Sequence, residues 1–136
     1  HVRIKCYDAM TSGDDAEARV LSRRYNYPHE GPFTLASPTF DACVGEVRFF
    51  YHMYSAYGGM GALELEQTTD GASWTAIWVK WGDQGNSWQG ATVSITTPNV
   101  IRVRWVGTTG DHWQSDMAID DVSVEGGVAA PLLPPV

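Results

Sequence analysis

Between residues 46 and 54 the chain alternates strictly enough to leave one local conformation. Val47, Phe49, Tyr51 and Met53 fall on one side of an extended strand, with Arg48, Phe50, His52 and Tyr54 on the other. A helix would scatter both sets around its axis. Bulk on both sides predicts a central strand covered on both faces. The same period of two recurs along the chain. Val2, Ile4 and Cys6 alternate with Arg3 and Lys5, and Leu63 and Leu65 with Glu64 and Glu66. Thr75, Ile77, Val79 and Trp81 share one side of 74–81, Val93 and Ile95 begin another strand, and Ile101, Val103 and Trp105 oppose Arg102 and Arg104. Helical periodicity is nearly absent; residues 19–25 fit either a strand or a short helical turn.

One break in phase is informative. Met117 and Ile119 share a face, as do Val122 and Val124, but the step between the pairs is odd. One extra residue at Asp120-Asp121, a β-bulge, restores a common buried face and aims at least one carboxylate in a specific direction. Turn chemistry separates the strands: Gly58, Gly59 and Gly61, then Thr69-Asp70-Gly71, the 82–90 loop carrying Trp88, Thr97-Pro98-Asn99, and a polar loop over 107–115. Pro28, Pro32 and Pro38 make the strands near them short or peripheral. Many short strands with such turns predict an all-β fold, an antiparallel β-sandwich of jelly-roll type. The lack of a βαβ pattern argues against a parallel sheet. At 136 residues, with 43% hydrophobic and 18% charged side chains, the chain has the size and composition of a single folded domain. That domain is expected over 1–125. The stretch 126–136, GGVAAPLLPPV, reads as an extended tail that could lie across a neighbouring subunit.

A formal net charge of -7 disfavours nucleic acid and anionic membrane surfaces as partners. The basic residues Arg3, Lys5, Arg19, Arg23 and Arg24 lie early, and the acids concentrate after Glu64. That acidic half reads first as a solvated surface and second as an attractor of cations. No apolar run approaches the roughly 20 residues that span a bilayer. No signal peptide is visible, so a secreted form would have lost it ahead of this numbering. The two cysteines, Cys6 and Cys43, lack zinc-ligand spacing. They fit a single disulfide, which suits an oxidising compartment, or two buried thiols.

Three groups of side chains carry candidate chemistry. Asp116, Asp120 and Asp121, with Asp111 in the preceding loop, offer the oxygen ligands that calcium prefers; the alternative is that they cap loop amides or face solvent. Six tryptophans are present, of which Trp74, Trp78, Trp81 and Trp105 are expected in the core. Trp88 and Trp113 lie in loops and are the candidates for stacking on a sugar. His52 reads as structural, and His29 and His112 lack partners at a meaningful spacing. His1 could chelate copper through its amine and ring, but reads first as a processing remnant. No Ser-His-Asp order, phosphate loop or carboxylate pair marks an enzyme.

Several segments resemble one family. Leu35-Ala36-Ser37-Pro38 followed by Val47-Arg48-Phe49-Phe50-Tyr51-His52-Met53-Tyr54 is similar to the "L-x-SP … L-x-F-x-YHMYG" core of MAM domains. Gly61-Ala62-Leu63-Glu64-Leu65 resembles the family's "G-x-L-x-V" strand. Trp78 with Gly82-Asp83-Gln84-Gly85-Asn86-Ser87-Trp88 resembles its "W … G-x-QG-x-x-W" segment. Asp116-Met117-Ala118-Ile119-Asp120-Asp121-Val122 resembles its "D-I-A-I-DD-I" signature. The matches run in the family's order over roughly 33–125.

The resemblance implies a jelly-roll sandwich that is secreted or on the cell surface. It implies a non-catalytic module of adhesion or assembly, with a protein partner that includes a second copy of itself, and a structural calcium ion in some members. A carbohydrate-binding module using Trp88 and Trp113 is the alternative. Cys43 matches the family cysteine ahead of the YHMY strand. That cysteine's usual partner follows the last strand, where this chain has Gly126 and Gly127, so Cys43 is left to pair with Cys6 or to stay unpaired.

Overall fold

The alternating segments become strands, and the phase break becomes a bulge. The computed structural model describes residues 2–5, 19–20, 32–40, 44–110 and 116–126. Among them run β1 (Val2–Lys5), β2 (Arg19–Val20), β3 (Phe33–Ala36), β4 (Val44–Met53), β5 (Ala62–Thr68), β6 (Thr75–Trp81), β7 (Gln89–Ser94), β8 (Arg102–Thr108) and β9 (Met117–Gly126). No helix occurs among the described residues. A five-stranded sheet has the order β1-β9-β4-β7, with β2 also paired to β9. A four-stranded sheet has the order β3-β8-β5-β6. The all-β jelly-roll sandwich expected from the sequence is therefore the observed fold.

The strand pairs are antiparallel with one exception. Val2 to Lys5 run parallel to Val122 to Glu125. The sheets remain antiparallel, as the lack of a βαβ pattern implies, with this one parallel pair at an edge. A parallel neighbour needs a long crossover, and here β1 and β9 are almost the whole domain apart in sequence. The ambiguous 19–25 segment contributes the short strand β2, antiparallel to β9 at Ile119 and Ala118.

The inner faces of the two sheets meet in one apolar core. Val47, Phe49, Tyr51 and Met53 from β4 are buried there with Met117, Ile119, Val122 and Val124 from β9. Leu63, Leu65, Val103 and Trp105 come from the other sheet. Phe49 joins the layers. Its ring meets Trp78 edge-on at 5.0 Å and Trp105 at 5.5 Å. Each such side chain removed from water contributes about 1.5–3 kcal/mol.

Three bulges decide which side chains face inward. Arg48 pairs with Ser123 and Phe50 with Asp120, so Asp121 and Val122 together oppose Phe49. Asp121 takes φ 51° to make that step, and Val122 rejoins the buried face as the sequence requires. A second irregularity leaves Gly45 without a partner on β9. A third lies in β6: Leu65 pairs with Trp78 and Glu66 with Ala76, so Ile77 is the extra residue. The proposed common side of Thr75, Ile77, Val79 and Trp81 is thereby broken. Ile77 and Trp78 both pack on the core, whereas Val79 and Trp81 oppose Glu64 and Ala62 on the outer face.

β4 is central, as expected, between β7 and β9. It is covered on one side only, which corrects the second expectation about it. A two-layer sandwich gives each sheet one inner face. Arg48 and Phe50 are exposed and His52 is half-buried on the other.

Two turns hold the four-stranded sheet. At the β5–β6 turn, the Asp70 carboxylate accepts hydrogen bonds from the Ser73 and Ala72 amides, both 2.8 Å, and from the Thr68 hydroxyl at 3.0 Å. These donors, Ser73 first, hold the Asp70 carboxyl below its ordinary range. A depressed carboxyl stabilises the fold at pH above its unfolded pKa and loses that contribution as pH falls through the folded one. Where β3 ends, Pro38 has no N–H to give. Ser37 compensates: its amide donates to the Val103 carbonyl at 2.9 Å, and its hydroxyl accepts the Val103 amide at 3.1 Å. Ser37→Ala leaves that buried amide without its acceptor, and a loss of about 1–3 kcal/mol is expected. The denaturant midpoint reads it; an unmoved midpoint would mean another acceptor takes over.

A pinned loop and the exposed aromatics around it

The segment 82–88 is short, glycine-containing and tightly bonded. Gly82 and Gly85 adopt φ 74° and 88°, which glycine reaches without steric penalty. The Gly85 amide donates to the Asp83 carboxylate at 2.9 Å. Gln84 is the pin. Its amide donates to the Met53 carbonyl at 2.7 Å, tying the loop to the end of β4 in one sheet. Its side-chain nitrogen donates to the Trp81 carbonyl at 2.8 Å, at the end of β6 in the other sheet. The Gln89 side chain donates to the Gln84 carbonyl at 3.2 Å. Gly82 N donates to the Gly61 carbonyl at 2.9 Å and joins this loop to the 54–61 turn. One end of the sandwich is thus closed across both sheets.

Large aromatic side chains surround that closure. Trp81 is 72% exposed, Tyr57 69% and Trp88 47%. Phe50 is 46% exposed on the outer face of β4. The exposure expected for Trp88 is observed. Trp81, assigned to the core from the sequence, is instead among the most exposed side chains, because the Ile77 bulge turns it outward. Trp105 is buried as expected, and Trp74 and Trp78 are half-buried. Trp74 lies on the outer face beneath two guanidinium groups, Arg104 at 4.2 Å and Arg102 at 5.6 Å from its ring centre. Arg104 also pairs with Glu66. These contacts make that patch a self-satisfied cation–π arrangement.

His52 is held by its neighbours. Its ring lies 5.5 Å from that of Trp88 and 6.4 Å from that of Tyr54, and its Nε2 is 3.2 Å from the Asn86 Oδ1. The structural role expected for it agrees with these contacts.

The carboxylates proposed for calcium are distributed along β9. Asp116 precedes the strand and lies four residues before Asp120, about 13 Å in an extended chain. The Asp120 carboxylate accepts the Asp121 amide at 2.8 Å. Among the described residues no group of three or more His, Cys, Asp or Glu side chains is placed to hold a metal. Asp111, Trp113, the pair Cys6 and Cys43, His1, His29, His112 and the tail beyond Gly126 lie outside the described residues.

Sequence reasoning missed Phe50, Tyr57 and Trp81 as surface groups. The signal available for Phe50 was a glycine, Gly90, across the sheet, which is legible only once the register is known.

Comparison with known proteins places this architecture. The family model described as "MAM domain, meprin/A5/mu" matches residues 11–128. Human MAM domain-containing glycosylphosphatidylinositol anchor protein 1 is 36% identical over 95 residues, covering 68% of this chain and 10% of that protein. Mouse MAM domain-containing glycosylphosphatidylinositol anchor protein 2 is 30% identical over 115 residues, covering 84% and 12%. The chain therefore corresponds to about a tenth of these relatives' length. Among solved structures, the K3 cleaved adhesin domain of Lys-gingipain from Porphyromonas gingivalis superposes with a TM-score of 0.59 at 13% identity, covering 77% of this chain and 70% of that one. A family 29 carbohydrate-binding module reaches 0.50 at 10% identity, covering 88% and 78%. At such identities these two likenesses speak only to the sandwich fold. The family model's match over 11–128, together with relatives 36% and 30% identical over 68% and 84% of the chain, means that the chain belongs to the MAM domain family.

Proposed function

We propose that this module is a non-catalytic, extracellular adhesion or assembly unit that binds a protein partner, a second copy of itself included. The observation that carries the reading is the exposure of Trp81 and Tyr57 on neighbouring segments, joined by the bond from Gly82 to Gly61. Val79 extends the patch on the same side of β6 as Trp81 and is 37% exposed. Trp and Tyr dominate the energetics of protein contacts, and a rigid support reduces the ordering cost of association. Among the described residues β6 is an edge strand paired only with β5, and such an edge can accept a second strand. Relatives whose names carry a glycosylphosphatidylinositol anchor support a secreted or cell-surface location.

The test is association measured by light scattering and by clustering of beads coated with the module. Trp81→Ala with Tyr57→Ala is expected to weaken association at least tenfold, about 1.4 kcal/mol, with melting unchanged. Undiminished clustering by the double variant would end this reading. Deletion of 126–136 in the same assay asks whether the tail contributes to association.

Calcium stands here as a separate proposal, at Asp116, Asp120 and Asp121 completed by Asp111. A melting temperature that rises with calcium and falls with a chelator supports it; an indifferent one ends it. A second functional reading, a carbohydrate-binding module using the loop pair Trp88 and Trp113, is favoured by the exposure of Trp88 on a pinned loop.

A further inference from the structure

We infer that the outer face of the five-stranded sheet carries a site for a neutral saccharide, with the rings of Phe50 and Trp88 as its stacking platform. The inference is independent of the protein contact at Trp81 and Tyr57. It deepens the second reading by moving the aromatic partner of Trp88 from a loop to a strand.

The register brings the two rings together. Phe50 pairs with Gly90, and Tyr51 with Gln89. Trp88, the next residue along, therefore falls beside His52, and the ring contact at 5.5 Å agrees. Phe50 and Trp88 project from the same face, about 7 Å apart along the strand direction. That spacing is on the scale of one pyranose ring. Gly90 sets the attitude of the Phe50 ring. A Cβ on Gly90 would meet Phe50 Cε1 at 3.3 Å and Cδ1 at 3.8 Å. The ring therefore leans over bare backbone, and it keeps 46% of its surface in solvent. Trp88 is braced by His52, whose Nε2 is 3.2 Å from the Asn86 Oδ1. Its loop is pinned through Gln84 to both sheets. Both platforms are organised before any ligand arrives.

The rest of this face decides the class of ligand. Its outward positions bear Thr92, Ser94, Ser123, Asp120 and the paired Glu46 and Arg48, whose Oε1 and Nε are 2.5 Å apart. No aliphatic side chain larger than Ala118 faces outward from the paired positions of β4, β7 and β9. A protein interface needs a contiguous apolar centre, which two rings set among hydroxyls and charges do not supply. A saccharide needs flat rings for its C–H faces and surrounding donors and acceptors for its hydroxyls. In the register the immediate neighbours of the two rings are His52, Gly90 and Asp120, and the nearest guanidinium, that of Arg48, is already committed to Glu46. Among the described residues a sulfate or phosphate group finds no uncommitted Lys or Arg beside the rings, which favours neutral sugars.

Affinity electrophoresis through gels containing galactan, mannan, xylan or mixed-linkage glucan, with heparin as the anionic comparison, tests the inference. Retardation by at least one neutral polymer and none by heparin is expected. Phe50→Ala and Trp88→Ala should each weaken it by about tenfold or more, with melting unchanged and Trp81→Ala without effect. Trp88→Phe should keep most of the affinity, which separates stacking from a folding defect. No retardation in any neutral gel overturns the inference, as does retardation only by heparin. If Trp88→Ala and Trp113→Ala abolish binding while Phe50→Ala does not, the loop pair is the site and the strand platform is wrong.

Discussion

Gly110→Ala is expected to lower stability by about 3 kcal/mol or more, and Gly61→Ala by a similar amount. The reason is a backbone-on-backbone crossing. A Cβ on Gly110 would fall within the van der Waals shell of the Gly59 carbonyl oxygen and 2.8 Å from Gly61 N. A Cβ on Gly61 would strike the Thr108 carbonyl oxygen and lie 2.7 Å from Gly110 N. None of these atoms belongs to a side chain that can rotate away. The turn at 58–61 and the chain leaving β8 must separate, and with them the bond from Gly82 to Gly61 that helps close this end of the sandwich. Gly58 supplies the control. It has φ 77° and nothing within 4 Å of the added methyl, so Gly58→Ala is expected to cost only about 1 kcal/mol of backbone strain. Urea melts of the three variants rank the two effects. If Gly110→Ala proved as mild as Gly58→Ala, the close crossing would be wrong.

Phe49→Ala is expected to cost about 3–5 kcal/mol. Phe49 is 1% exposed and is the ring through which β4 reaches both Trp78 of β6 and Trp105 of β8. Truncation removes the transfer energy of the ring, the two edge-on contacts and the support of two indoles. Those indoles cannot collapse into the gap without leaving their own strands. Phe49→Leu keeps much of the volume without the edge-on geometry and is expected to cost less than half as much. Near-ultraviolet circular dichroism adds an independent reading: loss of the tryptophan bands should accompany Phe49→Ala. By contrast, Phe50→Ala, one residue away on the outer face, should leave stability within about 0.5–1 kcal/mol of the parent. Equal losses at the two positions would mean that the assignment of inner and outer faces is incorrect.

That contrast shows what was legible in the residues. Phe49 and Phe50 are identical side chains in one strand, and the alternation of β4 put them on opposite sides without saying which side has a second layer. The β9 bulge was legible because Met117, Ile119, Val122 and Val124 are all apolar and close in sequence, so the phase error had one local repair. The β6 bulge at Ile77 was not. Ile77 and Trp81 read as one side of the strand, and only the pairing of Leu65 with Trp78 and of Glu66 with Ala76 shows that the face switches between them.

The amino-acid pattern alone determined the extended local conformation, the two opposite faces of β4 and the bulge in β9. All of these follow from side-chain geometry repeating every two residues, which neighbours in sequence set. Tertiary structure decided the parallel pairing of β1, the outward turn of Trp81, the crossing of Gly61 with Gly110, and the ring of Phe50 over Gly90. Each depends on which distant segment lies alongside, and backbone hydrogen bonding fixes that register only when the sheets assemble.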